Sequence, residues 1–206
     1  MDYQKEFFDA SYQKLVDAIN NIPPETAANV YAFSFYLYCE DDDPRQQMLE
    51  VSYNTEKNYK ASIDEAYDEM EARWNYAFWL QKEILALGGP EDELWQKWVK
   101  STPFYYEDEE DKSKGKYDGI SDMFLEMVIE LSQKVHTDGV LEQKFGKAIP
   151  VIMHGLEYCE YEFEWALRAN PEGIVDEFLS WDVFDDYKKE KKRILKKLEQ
   201  RRNKSK

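Results

Sequence analysis

The run from Asn29 to Cys39 limits this chain's possible folds more than any other segment. Val30, Tyr31, Ala32, Phe33, Phe35, Tyr36, Leu37 and Tyr38 follow one another with only Ser34 between them. A surface helix returns a polar residue to its outer face every turn, and this segment has no such face. A run that is apolar on both sides is covered on both sides, and its β-branched and aromatic residues predict a central strand.

Two further segments fit a sheet around it. After the acidic turn Glu40-Asp41-Asp42-Asp43-Pro44, the residues Leu49, Val51 and Tyr53 alternate, which predicts a hairpin partner with one wet side. Ile149 to His154 reads as a third strand, with Pro150 near its beginning, where a missing N–H is tolerated.

Helical spacing surrounds these runs. Phe8, Tyr12, Leu15, Val16 and Ile19 predict a helix ending before Pro23-Pro24. Asn54-Thr55 offers a cap to a stripe of Tyr59, Ile63, Ala66, Tyr67 and Met70. Arg73 to Trp79 is too aromatic to stay exposed and suits a strand or a helix start equally. Beyond the break at Gly88-Gly89-Pro90, Leu94, Trp95, Trp98 and Val99 predict a short helix. Thr102 to Lys116 reads as an acidic loop too polar to pack. Ile120, Phe124, Met127, Val128, Leu131 and Val135 predict another helix. Leu156, Cys159, Phe163, Ala166 and Leu167 predict one ending at Asn170-Pro171, and Ile174 to Leu179 a short one after it. The expected class is α/β (α+β): a small mixed or antiparallel sheet of about three to five strands covered by several helices.

Charge divides the chain in two. The last element starts near Val183 and runs into residues 188–206, which hold 11 of the 27 Lys and Arg but only two of the 43 Asp and Glu. Residues 1–187 therefore carry 16 bases against 41 acids, a net charge of −25. The expected organisation is one acidic α/β domain over residues 1–187 and a basic C-terminal helical tail over 188–206. With 15 Tyr, 11 Phe and 6 Trp, the domain can bury enough area to fold despite a mean hydropathy of −0.78. An acidic body repels nucleic acid and acidic membranes and attracts basic surfaces. The tail has the opposite sign, but its aromatics stop at Tyr187, so helix-end compensation fits it better than a nucleic-acid patch. Two cysteines, no secretory leader pattern at the first residues and no long apolar run suggest a cytoplasmic protein with reduced thiols.

The residues name no reaction. His154, at the end of the third strand and followed by Gly155, sits where α/β proteins place chemistry, but no nucleophile elbow or phosphate loop accompanies it. Glu40 to Asp43 offers carboxylates to a hard cation, yet consecutive side chains in a turn diverge. No EF-hand spacing registers on residues 108–119, and neither the thiols nor His136 and His154 have zinc spacing. Glu157, Glu160 and Glu164 share a helix face that alternates with an apolar stripe, as a solvated face does. No metal and no cofactor is expected.

The strand Val30-Tyr31-Ala32-Phe33-Ser34-Phe35-Tyr36, the second strand ending in Tyr53-Asn54-Thr55-Glu56, and Arg73-Trp74 with Trp79 resemble a bacterial family catalogued as domain of unknown function 4303. Ile149 to Tyr158, followed by Ala169-Asn170-Pro171, is similar to its C-terminal half. The resemblance covers roughly residues 1–182. It implies an association with contact-dependent toxin systems, in which small acidic domains act as immunity proteins. The expected function is a non-catalytic binding protein for a basic protein partner, such as a toxin domain. Its rival candidate surfaces are Asp41, Asp42 and Asp43, and Glu107, Asp108, Glu109, Glu110 and Asp111. The alternative is a small hydrolase or metal-dependent enzyme using His154 with nearby carboxylates.

Overall fold

A computed structural model describes residues 2–108, 118–156, 158, 160–185, 193–196 and 200. Its sheet has four strands: β1 (Val30–Cys39), β2 (Gln47–Thr55), β3 (Leu85–Gly88) and β4 (Val151–His154), in the order β3-β2-β1-β4. β1 pairs antiparallel with β2 and parallel with β4, and β3 pairs antiparallel with β2. The sheet is mixed and the class is α+β, as expected. β1 lies inside the sheet, which is why its sequence is apolar on both sides.

Each face has its own core. Phe33, Phe35, Leu49, Val51, Val151 and Met153 point to one side, against α1 (Tyr3–Asn20), α5 (Glu93–Lys100), α6 (Asp118–Thr137) and α7 (Val140–Phe145). Phe33 is 0% and Phe35 1% exposed, and rings buried to this degree contribute about 1.5–3 kcal/mol each. Helix α1 starts where the Asp2 side chain accepts from the Lys5 amide and buries Phe7, Ser11, Leu15 and Ile19, a four-residue spacing. A register shift between Val30 and Ala32 turns Tyr31 to the second face, beside Ala32 and Ile152. There they meet Trp74, Trp79, Phe178, Phe184 and, from α8 (Glu160–Ala169), Phe163 and Ala166. Ile194, near the start of the basic tail, also packs into this second core. The rest of the tail lies mostly outside the described residues.

Several helical expectations need correction. The stripe from Tyr59 to Met70 is not one helix: α3 (Glu56–Ser62) gives way to a 3-10 turn at Ile63–Glu65, and α4 (Glu69–Trp74) starts afresh. Asp68 caps α4 by accepting from the Glu71 amide, and Tyr67, in the break, is 94% exposed. Leu156 is 74% exposed because α8 begins only at Glu160. Ile174 to Leu179 forms turns and a 3-10 segment instead of an α-helix, although Val175, Phe178 and Leu179 are buried. Arg73 to Trp79 is the end of α4 followed by a 3-10 turn at Tyr76–Phe78. The acidic loop does pack in its described part, where Tyr106 is 2% exposed. The short α2 (Pro24–Ala27), β3 and α7 have no counterpart in the sequence pattern. β3 ends at Gly88, whose φ of +85° and whose approach to the Gln47 carbonyl, 2.3 Å from where a Cβ would stand, demand glycine.

Candidate functional site

The second sheet face changes character along its strands. Beyond Ala32 and Ile152 the inward-facing residues turn polar: Ser34, Tyr36 and Tyr38 on β1, Glu50 and Ser52 on β2, and His154 on β4. The turn carrying Tyr76, Trp79 and Gln81 leans over this end and encloses a cavity of about 210 Å³. Ser34, Tyr36, Glu50, Ser52, His154 and Leu156 complete its lining. The Tyr76 ring stacks on His154 at 4.2 Å and 15°, and Tyr36 stacks on His154 at 5.4 Å and on Tyr38 at 5.0 Å. Tyr158 meets His154 edge-on and donates its hydroxyl to the Trp74 carbonyl at 3.0 Å.

His154 is 2% exposed. Its Nδ1 is 2.9 Å from the Gly155 carbonyl, which can only accept, so Nδ1 carries the proton. Nε2 is then a lone pair, and the Ser34 hydroxyl donates to it across 2.7 Å. Burial pushes the imidazole down to about 4, against a weaker opposite pull from the Gly155 carbonyl. The pair has the outline of a nucleophile and its base. A base so acidic in its protonated form is a poor proton acceptor at neutral pH, and a main-chain carbonyl occupies the place of an orienting carboxylate. Glu162, a nearby acid, accepts from the Gly155 amide at 3.2 Å and so fixes the strand end. Glu157 lies outside the described residues, as does the side chain of Glu160.

The acidic segments form one surface. Asp41 and Asp42 are exposed, with φ of 54° and 55°. Asp43 is not a solvated turn residue: its carboxylate receives Nε of Arg45 at 3.0 Å and Nη2 at 2.6 Å, and the Tyr106 hydroxyl at 3.2 Å. Burial alone would raise the Asp43 carboxyl, but Arg45 more than offsets this and holds it below the ordinary value. Nη1 of Arg45 donates onward to the carbonyls of Tyr106 and Glu107, both at 3.2 Å, and the guanidinium lies 4.5 Å over the Tyr106 ring. One arginine thus ties the turn at Glu40–Asp43 to the segment carrying Glu107 and Asp108, both exposed. Glu109, Glu110 and Asp111 lie outside the described residues.

The Ala169-Asn170-Pro171 segment has a structural use. Asn170, 4% exposed, accepts from the Val151 amide at 2.8 Å and donates to the Val151 carbonyl at 2.7 Å and the Ala166 carbonyl at 3.0 Å. Nε2 of His136, 3.1 Å away, donates to the same side-chain oxygen. The side chain occupies the open edge of β4 as a further strand would. Burial lowers the His136 imidazole, and the position reads as structural.

Among the described residues no three His, Cys, Asp or Glu side chains are grouped to hold a metal ion. No described helix is long and apolar enough to cross a membrane. No family model matches the chain, and neither a curated protein nor a solved structure gives a significant match. Of the pocket residues, only His154 stood out in the sequence. Ser34 had a signal, as the one polar residue in the apolar run, and Glu50 and Ser52 lay on the wet side of the alternating strand. Tyr76 had none.

Proposed function

We propose that this protein is a non-catalytic binding protein that captures a basic protein partner on its acidic face, in the manner of an immunity protein neutralising a toxin domain. The observation that carries the reading is the Arg45 tie between two acidic segments about 60 residues apart in sequence. It presents Glu40, Asp41, Asp42, Glu107 and Asp108 on a braced surface instead of on independent loops. A braced acidic surface loses less entropy on binding, and its field draws a basic partner at high on-rate. The net charge of −25 over residues 1–187 agrees with this reading. The Ser34–His154 hydrogen bond favours a hydrolase as the second reading, but the depressed imidazole makes its base weak at neutral pH.

The test starts with a partner captured from the source cell and then purified. Stopped-flow association is measured from low to physiological salt for wild type and for D41N/D42N/E107Q/D108N. The expected result is an on-rate that falls steeply with salt in wild type and starts lower, with a flatter slope, in the variant. A wild-type rate indifferent to salt would remove the electrostatic binder. Covalent labelling of Ser34 by a serine-directed fluorophosphonate, absent in His154→Gln, would instead establish the hydrolase.

A further inference from the structure

The cavity on the second sheet face has an electrostatic bias. Among the described residues, Glu50 is its only charged lining residue, and no lysine or arginine lines it. The Glu50 carboxylate makes no hydrogen bond or ion pair among the described residues, in contrast to Asp43 in its arginine fork. Partial burial, with Glu83 nearby, pushes the Glu50 carboxyl up, as expected of a half-buried carboxylate without a counter-ion.

Three of the other polar groups are committed in one direction. Gln81 spends its amide N–H donors on the carbonyls of Tyr76, at 2.7 Å, and Trp79, at 3.3 Å, and keeps its oxygen as an acceptor. The Ser34 proton is spent on His154, and the His154 proton on Gly155. What remains is the Glu50 carboxylate, the Gln81 oxygen and the Ser52 and Tyr36 hydroxyls, which can accept or donate, between aromatic walls. An anion is repelled there, and a neutral apolar guest leaves Glu50 desolvated and unpaired, which is costly. A metal ion finds a single carboxylate. A cation with N–H donors satisfies the carboxylate and the amide oxygen and gains from neighbouring rings.

We propose that this cavity is a binding site for a small organic cation, a guanidinium or primary alkylammonium head, set among Tyr36, Tyr76 and Trp79 with Glu50 as its counter-charge. At about 210 Å³ it is smaller than the roughly 300–1,000 Å³ of pockets that take drug-sized molecules, which suits a head group. The head can come from a free small molecule or from a Lys or Arg side chain of a bound chain. The site does not depend on the acidic-surface reading, because Asp41, Asp42, Glu107 and Asp108 do not line it.

The full chain labelled with nitrogen-15 is titrated with methylguanidinium, n-butylammonium and the neutral isostere N-methylurea at fixed ionic strength. The Gln81 side-chain amide and the Ser34 and Ser52 backbone amides are followed by NMR. The expected result is saturable shifts with a dissociation constant of about 1 mM for at least one cation and none for N-methylurea. Glu50→Gln, isosteric at an unbonded position, should weaken binding about tenfold while leaving amides far from the cavity unshifted. D41N/D42N/E107Q/D108N should bind as wild type does, which separates this site from the partner surface. Acetyl-arginine amide and acetyl-lysine amide identify the source: tighter binding than the free cations indicates a protein side chain, and weaker binding a free small molecule. Unsaturated shifts, equal binding of N-methylurea, or an unchanged constant in Glu50→Gln would each overturn the proposal.

Discussion

The hydroxyl of Ser34 and Nε2 of His154 meet at 2.7 Å across two parallel strands, 120 residues apart in sequence. Burial keeps the imidazole neutral, and the bond fixes its tautomer, because Nδ1–H is already given to the Gly155 carbonyl. Tyr76 and Tyr36 stacked on the ring keep water away. A histidine in this state has consequences for stability.

The neutral imidazole should make the fold acid-sensitive. Its value falls from the ordinary 6.5 to about 4 in the folded chain, so between these limits the unfolded chain binds the extra proton. Stability from this group is complete above pH 6.5 and is lost as pH falls to about 4, by about 3 kcal/mol. Urea unfolding of wild type and His154→Gln across this range measures it. The stability difference between them should shrink on acidification, and parallel pH profiles would show that His154 is not the group responsible.

Asn170 should be among the costliest polar side chains to remove. Asn170→Ala leaves the Val151 amide and carbonyl and the Ala166 carbonyl unpaired in the interior, a loss of about 3 kcal/mol. Asn170→Asp should be worse at neutral pH, because it sets a negative charge against two carbonyl oxygens that now receive donors. Denaturant midpoints at unchanged m-value read both effects. A shift worth under about 1 kcal/mol for either variant would mean that the β4 edge finds other partners.

Arg73 joins the second core to its rim. Its guanidinium lies 4.3 Å from the Tyr31 ring centre and 5.0 Å from that of Tyr59, and it pairs with Glu56 at 3.2 Å and Glu177 at 2.9 Å. Arg73→Lys keeps the charge but loses the planar stack and the fork, at a cost of about 1–2 kcal/mol. Arg73→Met keeps the apolar stem and leaves Glu56 without its partner. The Lys variant should melt below wild type even in high salt, where ion pairs are screened and ring contacts persist.

The parts legible from sequence are those in which local pattern and tertiary environment agree. The run at Val30–Cys39 announced an interior strand because both of its flanks are covered, and the α1 and α6 stripes each face one core. The stripe from Tyr59 to Met70 misled because helical spacing persists through a stretch where Asp68 caps a new helix. β3 is four residues long and is held by its pairing to β2, which no local pattern reports. The pocket was hidden for a related reason: Ser34, Glu50, Tyr76 and His154 come from separate elements and only the sheet register assembles them. Asp43 looked like a solvated turn residue because its partnership with Tyr106 spans 63 residues.

The Arg45 tie should be separable from the charges that it organises. Arg45→Lys keeps a cation near Asp43 but cannot reach the Asp43 carboxylate and the carbonyls of Tyr106 and Glu107 together, since an ammonium lacks the planar fork. The segment at Tyr105–Asp108 should then loosen, and amide hydrogen exchange there should speed up while the sheet keeps its protection. Arg45→Ala removes the largest part of the offset to burial at Asp43, so its carboxyl should rise from its depressed value, as read by carboxyl carbon NMR. In wild type the depressed Asp43 contributes stability that is present above pH 3.8 and is lost as pH falls through its lower folded value. In Arg45→Ala that contribution should shrink, because only the residue-45 amide and the Tyr106 hydroxyl still favour the charged form. If exchange at Tyr105–Asp108 stays unchanged in Arg45→Lys, the two acidic segments are held together by Tyr106 packing alone, and the brace belongs to that ring.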